Sequence, residues 1–166
     1  MNELLDRLLE NLVQEKEIYK GLLEISERKK QVIVDNNIKE LEKIVQMERR
    51  FIIDISRLED ERLEIIDAIA AEKKVPSENI TISTLISWAP EGMARRLEAI
   101  RQELKDIIEK QKDLNRLNEK LLKINLEYVN FAVNFLVGSS SSSSVYEEKG
   151  QATKMKQSRN LFDKKV

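Results

Sequence analysis

The 166-residue chain contains neither cysteine nor histidine. Without cysteine, disulfides and thiolate metal sites are excluded. Without histidine, the commonest general base, the commonest transition-metal ligand and the usual near-neutral pH sensor are missing as well. Glycine occurs only at 21, 92, 138 and 150, so no glycine-rich loop is available to cradle a phosphate. One tryptophan, three tyrosines and four phenylalanines leave little material for a sheet-based fold. A net charge of −1 provides no bulk attraction to nucleic acid or to anionic lipid. The opening "MNELLDRLLENLV" carries acids where a signal peptide needs basic residues and an apolar run. No apolar stretch approaches the ~20 residues of a membrane span. The expectation is a cytoplasmic protein with no nucleic-acid partner and no direct membrane insertion.

What the chain does have is 41% apolar and 36% charged residues, a composition suited to helices. From Asn2 to about Val34 apolar side chains recur at three- and four-residue spacing, in the stripe Leu5, Leu8, Leu12, Tyr19, Leu22, Ile33. "DNN" at Asp35 to Asn37 breaks the pattern, and Asn37 followed by Glu40 reads as a capping box. A second helix is predicted from Ile38 to about Lys73, returning antiparallel to the first across the short turn. Pro76 and Pro90 bracket a second break, in which Thr81 to Trp88 forms a short helix or turn. Trp88 reads there as a plug at the bundle end rather than a ligand-stacking residue.

The last helix starts with Pro90 near its first position and runs to about Val137, stopped by Gly138 at a C-cap. One heptad column, Ile100, Ile107, Leu114, Leu121, Tyr128, Phe135, is apolar throughout. The other, Leu97, Leu104, Gln111, Asn118, Asn125, Ala132, turns polar midway. Such asparagines either fix register or mark a face that meets something outside the bundle. At ~1.5 Å per residue the first two helices span roughly 50–54 Å and the last roughly 72 Å. An antiparallel last helix would therefore overhang from near Glu127, exposing Tyr128, Val129, Phe131, Val133, Phe135 and Leu136. Either a partner binds that surface, or the short segment, the tail or a second subunit covers it.

Residues 138–166 read as a flexible tail on a 1–137 helical domain, because the six serines from Ser139 to Ser144 have little to bury. Lys149, Lys154, Lys156, Arg159, Lys164 and Lys165 against Glu147, Glu148 and Asp163 make the tail +3 and the rest −4. Glu15, Glu48 and Arg62 fall on the apolar stripes, where a seam ion pair explains them better than a carboxylate metal site. Gly21 reads as a tolerated small residue inside the first helix. No cofactor and no enzymatic activity are expected. An all-α antiparallel bundle or coiled coil follows: two ~35-residue helices, a short connecting helix, one longer C-terminal helix and a tail.

The chain resembles the FlgN-type flagellar export chaperones. The resemblance rests on the two helices from "LLDRLLENLVQEKEIYKGLLEI" to "RLEDERLEII", with Glu15 and Tyr19 before Leu22–Leu23 and with Glu48 and Arg62 in the second helix. It continues through "NRLNEKLLKINLEYVNFAVNFL", with Asn118, Leu121 and Leu122. The tail segment "SVYEEKGQAT" is similar to the family's Ser-aliphatic-Tyr and Gly-Gln-Ala element, although the longer serine run and the closing "NLFDKKV" depart from it. The resemblance implies a cytosolic type III export chaperone for the hook–filament junction (hook-associated) proteins. Such a chaperone binds their amphipathic C-terminal helices, prevents premature assembly and delivers them to the export gate. It maps client binding onto the last helix and export-gate docking onto Tyr146; on that helix a client would lie against the apolar face of Leu114, Leu121, Tyr128, Phe131 and Phe135, beside the polar seam residues Asn118 and Asn125. The rival readings are a structural coiled-coil homodimer and an enzyme with a carboxylate-only metal site.

Overall fold

A computed structural model describes the backbone of residues 1–142 and the side chains of residues 1–137. Its elements, in chain order, are α1 (Asn2–Val34), α2 (Ile38–Lys73), a single 3₁₀ turn (Ser77–Asn79), α3 (Ile82–Trp88) and α4 (Glu91–Ser142). The described residues contain no strand. The chain divides into two units, Met1–Tyr128 and Val129–Val166.

In the first unit α1 and α2 form an antiparallel hairpin. As α1 advances, its partners retreat along α2: the Met1 amino group meets Glu72, Glu15 meets Arg62, and Lys29 meets Glu48. The intervening turn closes by Asn36 adopting φ 53°, a left-handed conformation that asparagine tolerates better than most residues. Asn37 caps α2 by accepting a hydrogen bond from the Glu40 amide at 3.2 Å. Only half of the expected capping box forms, because the Glu40 carboxylate pairs with Arg28 and Lys43 instead. The complete box lies at α3, where Thr81 and Thr84 each bond the other's backbone amide.

Residue pairs place α4 parallel to α1, and so antiparallel to α2. Lys16 reaches Glu103, Ser26 reaches Gln111 and Asn118, and Ile33 reaches Asn125, each step forward on one helix matching a step forward on the other. The main core gathers where all four helices meet: Leu5, Leu8 and Leu12 of α1, Ile65 and Ile69 of α2, Leu85 of α3, Leu97, Ile100 and Leu104 of α4. The apolar columns of the sequence converge here because burying them removes their surface from water at ~25 cal/mol per Å². Trp88 packs half-buried against this core with the Lys73 ammonium 5.4 Å from its ring centroid, as a bundle-end plug.

Two expectations are corrected. Gly138 does not end α4, which continues through it to Ser142. A helix-interior glycine costs only ~1 kcal/mol and keeps both backbone hydrogen-bonding groups, so without a left-handed turn it is no barrier. Gly21 is more than tolerated. A Cβ on it would lie 2.9 Å from Phe51 Cζ and 3.0 Å from Cε1, so the missing side chain lets the Phe51 ring of α2 rest on α1.

Gly21→Leu is therefore expected to destabilise the fold by about 2 kcal/mol through overpacking, read as a lower urea midpoint. In a Phe51→Ala background the same substitution should cost markedly less, because the ring it displaces is gone. Additive losses would contradict the contact.

Candidate functional site

Tracing α4 toward its C-terminus shows where its two heptad columns are used up. Leu97, Ile100, Leu104, Gln111, Leu114 and Asn118 are buried, Leu121 and Asn125 are half-buried, and Tyr128 is 72% exposed. The three polar column positions turn inward. Gln111 Nε2 donates to Ser26 Oγ at 2.7 Å, Asn118 Nδ2 to the Ser26 carbonyl at 2.9 Å, and Asn125 Nδ2 to the Ile33 carbonyl at 2.7 Å. These bonds are of the kind a register role requires. Their carbonyl oxygens gain less: Gln111 Oε1 and Asn118 Oδ1 are buried without a partner among the described residues.

The candidate client-binding residues thus divide. Leu114 and Asn118 lie inside the bundle, and Asn125 is committed to α1. Leu121 is at the margin and Tyr128 is open. Within the first unit α4 also exposes Leu117, Leu122, Ile124 and Leu126, which lie off the two columns. The second unit, taken by itself, continues the helix with Phe131 at 69% and Phe135 at 66% exposure. Their rings stack at a centroid distance of 6.5 Å and an interplanar angle of 22°. Val129 and Val133 are exposed as well. Tyr146 and the rest of the expected tail element lie outside the described residues.

The seam acids resolve into ion pairs. Arg62 Nη1 donates to Glu15 Oε2 at 2.8 Å, and Lys29 Nζ to Glu48 Oε2 at 2.8 Å. Burial pushes the Glu15 carboxyl above its ordinary range, and Arg62 only partly offsets this. Tyr19, beside the pair, has its phenol raised further, first by burial and then by the carboxylates of Glu15 and Glu59. Among the described residues no group of three or more acids is placed to hold a metal ion.

The sequence that builds this bundle matches a known protein family. The FlgN protein family model matches residues 1–154. The chain belongs to the FlgN family. It is 28% identical over 153 residues to the uncharacterized protein YvyG of Bacillus subtilis strain 168, covering 90% of this chain and 91% of that protein. No solved structure matches. FlgN membership carries the general role of a flagellar export chaperone. No helix among the described residues is long and apolar enough to cross a membrane.

Three features were not read from the sequence. Ser26 sits in the heptad column Leu5, Leu12, Tyr19, Ser26, Ile33, and a serine in an apolar column opposite Gln111 and Asn118 was the available signal. The Gly21–Phe51 contact had no sequence signal. Leu117, Leu122, Ile124 and Leu126 were legible as apolar residues outside the columns.

Arg62→Met should cost roughly 3 kcal/mol at pH 7.5, the low end for breaking a buried pair because Arg62 is 29% exposed. The folded chain holds the Glu15 proton more tightly than the unfolded chain does. Stability from this group therefore falls as pH rises from about 4.5 through the raised folded pKa. Removing Arg62 lifts that pKa further, so the penalty in urea titrations should shrink as the pH is lowered to 5. A penalty independent of pH would contradict a buried, partly compensated Glu15.

Proposed function

We propose that this FlgN-family chain is a cytoplasmic type III export chaperone that holds hook-associated junction proteins by their amphipathic C-terminal helices. In this reading it keeps them from assembling early and hands them to the export gate. The observation that carries the reading is the run of exposed apolar and aromatic residues on the last turns of α4, where Tyr128, Phe131 and Phe135 are each about two-thirds exposed or more. Large exposed aromatics are costly to leave in water, and an amphipathic client helix presents the surface they need. Leu121 belongs at the edge of this surface, whereas Leu114, Asn118 and Asn125 act behind it by fixing α4 on α1.

Tyr146 is proposed to dock the chaperone to the export gate, on the similarity of "SVYEEKGQAT" to the family's tail element. Client surface and gate contact on different stretches of one chain would raise the effective concentration of client at the gate. A second reading, homodimerisation through α4, draws on the same exposed residues.

Titration calorimetry of the full chain with a hook-associated protein's C-terminal peptide is expected to give one peptide per chaperone chain. Tyr128→Ala with Phe135→Ala should weaken binding at least tenfold, about 1.4 kcal/mol. Unchanged affinity in that variant would remove the client surface from α4, and a chaperone dimer that binds no peptide would favour the homodimer reading. Tyr146→Ala should leave the peptide affinity as it is while client secretion in cells falls. Loss of peptide affinity on that change would refute the separation of the two roles.

A further inference from the structure

The first unit contains an open groove of roughly 550 Å³ between α1, α2, α3 and α4. Its floor is apolar, made by Leu8, Leu12, Ile66, Leu85, Leu104 and Ile108. Its charged lining is one-sided: Arg62, Arg101, Lys105 and Lys112 against the single acid Glu109. This is a local reversal of sign, because residues 1–137 carry a net charge of −4.

Two of these cations are already committed. Arg62 pairs with Glu15, and Arg101 bonds Glu98 at 3.2 Å. Lys105 and Lys112 make no ion pair among the described residues. Arg101, Lys105 and Lys112 lie along α4 over a rise of about 16 Å, three turns of helix. A lipid or fatty acid brings one charged head at one end of an apolar tail, and so meets only one of these positions. An amphipathic helix with acidic residues beside its apolar stripe meets all three. The chain's own tail is a poor occupant, because its charge of +3 has the same sign as the rim.

We propose that this groove is a second docking site, for an amphipathic helix flanked by acidic residues. It is separate from the client surface at Tyr128 to Phe135 and does not depend on it. The apolar stripe of the bound helix lies on the half-buried Ile66, Ile82 and Ile108, and its carboxylates meet Lys105 and Lys112. Attraction between such partly exposed charges falls with added salt.

The test uses the full chain and two fluorescein-labelled helical peptides of about 18 residues. Both carry leucines at i, i+3, i+4 and i+7 spacing, one with flanking glutamates and one with flanking lysines. Fluorescence anisotropy should show the glutamate peptide binding at least tenfold more tightly than the lysine peptide, and more weakly as salt is raised. Lys105→Glu with Lys112→Glu, both at exposed positions, should reverse that preference, with an unchanged circular dichroism spectrum showing the fold to be intact. Tyr128→Ala with Phe135→Ala should leave it untouched. Equal binding of the two peptides, binding of neither, or loss only in the Tyr128/Phe135 variant would each overturn the proposal. So would a dimer that dissociates in the lysine variant, which would make a second copy the occupant, or a preference for anionic vesicles over the glutamate peptide.

Discussion

Ser26, buried in the C-terminal third of α1, is where α4 is tied to the hairpin. Its hydroxyl accepts from Gln111 and its carbonyl from Asn118, two residues one heptad apart on α4. Sliding α4 by one turn would take both amides away from these two oxygens, at about 1–3 kcal/mol for each buried group left unpaired. The apolar columns alone do not impose this. Leucine and isoleucine pack nearly as well one turn along, so the polar contacts decide which register is occupied. Gln111 Oε1 and Asn118 Oδ1 are buried with no partner among the described residues, so each amide sets one hydrogen bond gained against one oxygen left unpaired.

Register in turn decides which residues are left over. With Asn118 on Ser26 and Asn125 on Ile33, the last turn of α1 is engaged by Asn125, and Tyr128, three residues on, is exposed. The Glu15–Arg62 pair and the Gly21–Phe51 contact hold α2 in matching alignment along α1. The body thus uses its polar and small residues for alignment and its aliphatic residues for cohesion. Three aromatics of α4, Tyr128 in the first unit and Phe131 and Phe135 in the second, remain exposed.

Much of this could be read before any coordinates. The bounds of α1 and α2 followed from the apolar stripes and the "DNN" break, and the short α3 from the segment between two prolines. Periodicity is a strong signal when helices are this long. What stayed illegible depended on three-dimensional neighbours. Whether Asn118 faced inward turned on a serine ninety-two residues earlier in the chain. The significance of Gly21 turned on a phenylalanine thirty positions later. Gly138 misled because glycine permits a helix stop without requiring one. Sequence spacing placed Leu114 on the column of Tyr128 and Asn118 on the neighbouring one, yet could not show that burial along the two columns ends between Asn118 and Tyr128.

Amide hydrogen exchange of the full chain, free and with a hook-associated C-terminal peptide, tests most directly that register leaves the end of α4 as the binding surface. In the free chain, amides of α4 from Leu97 to Asn118 should already be protected and those beyond Tyr128 should exchange quickly. Peptide addition should then slow exchange chiefly between Leu121 and Phe135. Slowing confined to α1, α2 or the Leu97 to Asn118 stretch, with no change beyond Tyr128, would contradict the account.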